Sequence, residues 1–289
     1  MSGTIARIAT AAVLIPIVIA AIWWGPAALV VVLIAALIIG ALFEFFALGE
    51  RAGFHGYRSW TAFCAALIVF QQWVATGVQT WSIGRDLRLA RTSGVPFPME
   101  MVLLVFVLGA ALVLIISSRP LGQALGDIGM SASGLLFLAV PLSALVRLET
   151  TPVIGRQLLL FTLVLIWVGD TAAYFVGRWF GRTPMAALVS PRKTWEGAAA
   201  NLIGSVAVGI AFAPWLHMEA RSVVWMAAYG NIGGQIGDLL ESGYKRSAGV
   251  KDSGTLLPGH GGVLDRIDAL VLAAPVVWYY FHYVLAPRV

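Results

Sequence analysis

Between Gly237 and Asp268 the chain reads GDLLESGYKRSAGVKDSGTLLPGHGGVLDRID, which sets the carboxylates Asp238, Asp252, Asp265 and Asp268 among the cations Lys245, Arg246, Lys251 and Arg266. Charges of both signs at this density, with apolar sequence on either side, suit a site that gathers a divalent metal and several phosphates. Hard cations such as Mg2+ take oxygen ligands, commonly one or two carboxylates plus substrate phosphates. Lys and Arg side chains hold the remaining phosphate oxygens. Asp238 falls near the C-terminal end of one apolar segment and Asp265 near the N-terminal end of the next, so an antiparallel pair of helices brings both to one edge of a bundle. Asp265 and Asp268 stand at i and i+3 and share a helix face. The intervening Pro258-Gly259-His260-Gly261-Gly262 run brings backbone N–H groups within reach of an anion. It also opens onto a helix N-terminus, whose dipole favours phosphate.

A second cluster occupies residues 169–197, GDTAAYFVGRWFGRTPMAALVSPRKTWEG. Asp170 precedes Arg178 by eight residues, about 12 Å along a helix, which sets it below an interface but within reach of it. The segment from Ser190 to Gly197 offers Arg192 and Lys193 for phosphates, Ser190 and Thr194 as hydroxyls, and Trp195 as an aromatic surface for a base.

The elements that must position these residues are membrane helices. The chain has 289 residues, 60% of them hydrophobic and only 11% charged, with a mean hydropathy of +0.88. Such a composition excludes an ordinary soluble domain. Apolar stretches of about 20 residues, enough to cross a hydrocarbon core, recur along its length. Approximately nine are expected, within a range of seven to ten, near 5–24, 27–49, 59–78, 100–117, 131–147, 155–178, 197–216, 222–241 and 264–286. Their continuous apolar runs, without period-2 alternation, select helices over a barrel, so the fold class is an all-α polytopic transmembrane bundle. The first stretch lacks a small-residue cleavage site and reads as a retained helix. The segment 79–99 reads as an extramembrane loop.

Basic residues divide unevenly between the two sides. Arg7, Arg51, Arg58, Arg119, Arg178, Arg182, Arg192, Lys193, Lys245, Arg246 and Lys251, with Arg266 at a helix start, fall on one side, against Arg85, Arg88, Arg91, Arg147, Arg156, Arg221 and Arg288 on the other. The positive-inside rule therefore puts the N-terminus and the loops near 180–195 and 242–264 in the cytoplasm. The net charge of +5 serves lipid or nucleotide phosphates as readily as nucleic acid, and no nucleic-acid partner is expected. The single cysteine, Cys64, excludes an intramolecular disulfide.

Chemistry, rather than a linker, divides the chain. Residues 1–150 read as a transmembrane scaffold in which Glu44, beside Glu50 and Arg51, takes an interfacial place. Residues 151–289 read as the catalytic region, because Asp170, Asn201, Asn231, Gln235, Asp238, Asp265, Arg266 and Asp268 enter its apolar helices. An ionisable group at a helix centre costs at least about 2.5–3.5 kcal/mol, so such groups face a bundle interior and mark function. The three amides among them serve equally as interhelical hydrogen-bonding groups.

The second half resembles the phosphatidate cytidylyltransferases, or CDP-diacylglycerol synthases. Their signature, S-x-x-K-R-x-x-x-x-K-D followed by P-G-H-G-G-x-x-D-R-x-D, is met here by Ser242, Lys245, Arg246, Lys251 and Asp252, then Pro258 to Gly262, Asp265, Arg266 and Asp268. The D-T-A-A-Y and S-P-x-K-T-W-E-G segments upstream are also similar, with Arg192 where the family carries Lys. The resemblance covers about residues 165–270. It implies that CTP and phosphatidate give CDP-diacylglycerol and pyrophosphate, with Mg2+ as cofactor and room for a second cation. It further implies a bacterial inner-membrane enzyme with its active site facing the cytoplasm among membrane lipids, and by analogy a homodimer. On this reading Asp238 and Asp265 are metal ligands, and Asp268 completes the metal site or orients a cation. Ser242, Lys245, Arg246, Lys251, Arg266, Arg192 and Lys193 bind phosphates. Asp252 has the same alternatives as Asp268, and His260 donates to a phosphate or shapes the turn. Two other readings stay open: a transporter using Asp170, Asp238 and Asp265 as an ion path, and a CTP-dependent lipid kinase.

Overall fold

The computed structural model describes residues 3–83, 98–254 and 261–285. Its elements run α1 (Gly3–Trp24), α2 (Ala27–Arg51), α3 (Arg58–Ile83), α4 (Met99–Ile116), α5 (Ala124–Gly134), α6 (Val140–Leu142), α7 (Ala144–Glu149), α8 (Gly155–Phe180), β1 (Pro184–Ala186), β2 (Ser190–Thr194), α9 (Trp195–Phe212), α10 (Ala220–Ser247) and α11 (Leu264–Tyr279). Each of the nine expected spans is helical over most of its described residues. Among the described residues, six helical segments are long and apolar enough to cross a membrane: Ala27–Arg51, Met99–Ile116, Leu121–Glu149, Gly155–Phe180, Trp195–Phe212 and Leu264–Leu285. The protein is an all-α polytopic membrane protein.

Several boundaries differ from the hydropathy reading, each for a local reason. The fifth span begins at Leu121 and passes through a π turn at Leu135–Ala139. That turn ends two residues before Pro141, which has no N–H for the regular helical ladder. Helix α10 continues to Ser247 instead of ending near 241, so Lys245 and Arg246 ride on its last turn rather than in a loop. Basic side chains are favoured there by the helix dipole, and Glu241 and Lys245 form an i,i+4 ion pair at 2.6 Å. The segment expected as a loop from 79 continues α3 to Ile83, and residues 84–97 lie outside the described ones. The stretch 190–197, also expected as a loop, is a strand and the start of a helix. Strands β1 and β2 form an antiparallel hairpin with Pro184 opposite Thr194 and Ala186 opposite Ser190.

The chain forms two compact units, one of Met1–Val153 with Asp252–Asp265 and one of Ile154–Lys251 with Arg266–Val289. The first has a core of aliphatic and aromatic side chains, with Ile38, Leu42, Phe45 and Phe46 of α2, Ile68 of α3 and Leu138 and Leu142 fully buried or nearly so. A polar knot fastens its helix ends. Asp127, only 2% exposed, pairs with Arg119 at 2.8 Å and accepts the His55 N–H at 3.2 Å. Ser131 accepts the Tyr57 N–H at 2.7 Å. A buried carboxylate of this kind persists because it is paired and hydrogen-bonded.

The second unit packs α8, α9, α10 and α11 through small residues. A Cβ built at Gly233 would stand 3.0 Å from the Leu272 carbonyl oxygen, and one at Gly237 would stand 2.7 Å from that of Asp268. Side chains of any size at these two positions would hold α10 off α11. Close backbone approach of this sort is the usual basis of helix association in lipid.

Candidate active site

Within the second unit, a cavity of about 710 Å³ opens between α8, the hairpin, α9 and α10. Its lining includes the cations Arg178, Arg182, Arg192 and Lys193 and the carboxylates Asp170 and Asp238. The hairpin owes its position to Glu196 in the first turn of α9, whose carboxylate accepts the Arg182 and Thr183 N–H groups at 3.2 Å and the Thr183 hydroxyl at 3.0 Å. Thr194 caps α9 by accepting the Gly197 N–H at 3.2 Å, which is an ordinary Ser/Thr cap. The strand residues just before that cap are Arg192 and Lys193, so both cations are delivered to the cavity by a short, pinned segment. Lys193 Nζ meets Asp238 Oδ2 at 2.5 Å.

A ladder of amides fixes the deeper side chains. Asn201 Nδ2 donates to Asp170 Oδ1 at 3.2 Å. Asn231 Nδ2 donates to Asn201 Oδ1 at 2.5 Å and to Ser205 Oγ at 2.7 Å. Gln235 Nε2 donates to Asn231 Oδ1 at 2.6 Å. Asn231 is 1% exposed and Ser205 fully buried, so these bonds replace the water the groups cannot reach. A Cβ at Gly169 would collide with Asn201 Oδ1, which explains the glycine before Asp170. The ladder ends one turn from Asp238.

Carboxylate oxygens of Asp238, Glu241 and Asp268 lie within 4.8 Å of one another. The donor set is all oxygen, and its negative charge is offset by Lys193 on Asp238 and by Lys245 on Glu241 at 2.6 Å. Such a set fits a hard divalent cation, which prefers carboxylate oxygens and tolerates further oxygen donors from substrate. Glu241 is fully buried, and sequence reasoning passed over it. Its spacing carried a signal, since it lies three residues after Asp238 and four before Lys245 on one helix face. Arg178 and Arg182 likewise served there only to mark the interface and the orientation, although both line the cavity.

The remaining residues expected at the site are distributed as follows. Lys245, 9% exposed, is engaged by Glu241, and Ser242 beside it is 7% exposed. Arg246 donates to the Val189 carbonyl at 3.2 Å and to the Val250 carbonyl at 3.0 Å, tying the end of α10 to the hairpin turn. Lys251, Asp252 and Arg266 are exposed. His260 lies outside the described residues. Asp265 belongs to the first unit, where its Oδ2 accepts from the Ser253 N–H at 2.9 Å, the Ser253 hydroxyl at 3.0 Å and the Gly262 N–H at 2.8 Å.

Two expectations are corrected here. The N–H groups of residues 262–264 do not point at an open anion site, because each is taken by a carboxylate of the chain: Gly262 by Asp265, and Val263 and Leu264 by Glu44 at 2.9 and 2.8 Å. Glu44, read from the sequence as interfacial rather than buried, is accordingly a half-buried acceptor. The reason is one and the same. A helix start leaves N–H donors without partners inside the helix, and here the carboxylates of Asp265 and Glu44 supply the acceptors.

Comparison with known proteins matches the chain to a model of the Cytidylyltransferase family over residues 5–284. Several relatives bear the name phosphatidate cytidylyltransferase, three of them as follows. One from Haemophilus influenzae is 42% identical over 146 residues, 46% of this chain and 49% of its own length. One from Brucella suis is 40% identical over 153 residues, 53% and 57% of the two chains. One from Staphylococcus epidermidis is 39% identical over 125 residues, 43% and 48%. The chain spans about half the length of the curated relatives it matches. The family match runs through both units and through every residue of the cavity and of the carboxylate cluster, and the chain therefore belongs to the cytidylyltransferase family.

Proposed function

We propose that the protein transfers the cytidylyl group of CTP to phosphatidate, giving CDP-diacylglycerol and pyrophosphate. A phosphate oxygen of phosphatidate attacks the α-phosphorus of CTP, the bond from that phosphorus to the β-phosphate bridge breaks, and pyrophosphate leaves with the electron pair. The nucleophile is already anionic near neutral pH, so the reaction asks less for a strong base than for charge compensation and in-line positioning. The carrying observation is the cavity in which Arg178, Arg182, Arg192 and Lys193 stand with Asp170 and Asp238. Four cations at one opening suit substrates that together bear several phosphates.

Asp238, Glu241 and Asp268 would hold Mg2+, and Asp265 holds Ser253 and Gly262 in the first unit. A bound divalent cation would supply neutralisation of charge on the α-phosphate and the departing pyrophosphate. Lys193 aligns Asp238, Lys245 compensates Glu241, and the Arg side chains orient phosphate oxygens. Residues 151–289 thus carry the chemistry, while residues 1–150 provide the membrane frame. We place the cavity at the cytoplasmic face of a bacterial inner membrane, the side on which CTP is available and to which the basic residues assign it.

Product analysis tests this reading. Purified protein incubated with phosphatidate, Mg2+ and CTP is expected to yield CDP-diacylglycerol and pyrophosphate in equal amounts. Release of CDP with a diphosphorylated lipid would identify a lipid kinase instead.

A further inference from the structure

Glu44 lies on α2, in the half of the chain whose sequence suggested only membrane frame, yet it holds a segment more than two hundred residues away. Its Oε1 accepts the Val263 N–H at 2.9 Å, and its Oε2 accepts the Leu264 N–H at 2.8 Å and the Ser253 hydroxyl at 3.0 Å. The first two donors are N–H groups at the start of α11, where the helix itself offers no acceptor and a negative charge is favoured by the helix dipole. Ser253, 7% exposed, stands 3.0 Å from both Glu44 Oε2 and Asp265 Oδ2. A hydroxyl has one hydrogen, so it links the two carboxylates while donating to one at a time.

The seat is made to fit this side chain. A Cβ at Gly254 would stand 2.7 Å from Glu44 Oε1, and one at Gly262 would collide with Glu44 Oε2 and Ser253 Oγ. One helical turn before Glu44, a Cβ at Gly40 would reach Val263 at 3.8 Å, so α2 offers a flat contact followed by a cap. Ser253 and Val263 are thereby both referred to one carboxylate.

We infer that Glu44 is a positioning residue for the reaction: by capping α11 it fixes the helix start, and with it Asp268 one turn further along. This rests on the reading of Asp238, Glu241 and Asp268 as cation ligands. Glu44 acts through the backbone of α11, so its loss should move cation affinity and not only stability.

The test uses the full-length protein in detergent with Mn2+ as probe, free Mn2+ being read by electron paramagnetic resonance, alongside thermal unfolding and steady-state kinetics. Glu44→Gln keeps the volume but removes the charge and one acceptor. It is expected to weaken Mn2+ binding about tenfold, the scale of an outer-sphere partner, and to raise the Mg2+ needed for half-maximal rate by the same factor. The KM for CTP at saturating Mg2+ should stay near wild type, and Glu44→Asp should recover part of the loss. Ser253→Ala, which leaves the two backbone bonds intact, should shift Mn2+ affinity in the same direction by less, and it serves if Glu44→Gln does not fold. If Asp268→Asn loses Mn2+ while Glu44→Gln and Ser253→Ala bind it like wild type, the positioning role is overturned. If Asp268→Asn itself binds Mn2+ like wild type, the ligand assignment fails and this inference falls with it.

Discussion

Lys193 occupies a position where its two functions can be separated. Its ammonium group meets Asp238 at 2.5 Å, and both side chains are 29% exposed, so as a stability device the pair is worth little, about 0–1 kcal/mol. As a charge lining the cavity it is worth more, because a donor aimed at developing phosphate charge contributes on the order of 100-fold in rate. Lys193→Met is therefore expected to unfold at nearly the wild-type temperature while losing about two orders of magnitude in kcat/KM. Thermal unfolding and steady-state kinetics on the same preparation check both halves. Near-wild-type turnover would mean that Lys193 only screens Asp238. At this scale the sequence made the cations Arg192 and Lys193 and the carboxylates Asp238 and Asp268 visible through type and spacing. Glu44 stayed hidden because its partners are backbone N–H groups 219 and 220 residues away, and backbone donors look alike in every sequence.

At the scale of elements, the carboxylate cluster depends on how closely α10 approaches α11. Gly237 sets that approach, since a Cβ there would stand 2.7 Å from the Asp268 carbonyl oxygen, a backbone atom that cannot rotate away. Gly237→Ala is expected to destabilise the protein by about 1–3 kcal/mol, the usual cost of overpacking. It should also raise the Mg2+ requirement, because Asp238 and Asp268 flank the displaced contact. Gly129 in α5 offers a control, for a Cβ there meets nothing within 4 Å, and Gly129→Ala should be neutral or stabilise by up to about 1 kcal/mol. Thermal unfolding with and without Mg2+ compares the two, and equal behaviour would contradict the packing argument. Hydropathy located the helices but not their ends. The hairpin escaped it entirely, because β1 and β2 are held by the Glu196 carboxylate and by their own ladder rather than by any apolar period.

For the whole molecule, the proposed orientation rests on the distribution of Arg and Lys, and it has a direct probe. Leu188, in the turn between β1 and β2, is 94% exposed, whereas Cys64, the one cysteine of the chain, is fully buried. Leu188→Cys in a Cys64→Ala background should react with a membrane-impermeant maleimide in inside-out vesicles and stay unmodified in right-side-out ones. The reverse pattern would place the cavity on the wrong face for CTP. The family resemblance was legible because so many charged and glycine positions fall at fixed spacing between Ser242 and Asp268. The grouping of Asp252–Asp265 with the first unit was not, and neither were the contacts of Glu44 with Ser253, Val263 and Leu264, which no periodicity announces.

The most direct test of cytidylyl transfer at this site follows the fate of CTP labelled at either the α- or the γ-phosphate, with phosphatidate and Mg2+, in wild type and in folded Asp238→Asn. The expected result is α label in the lipid and γ label in pyrophosphate for wild type, with both transfers lost in Asp238→Asn. Label entering lipid from the γ position, or α label entering lipid equally well in the variant, would contradict the reaction or its assignment to this carboxylate.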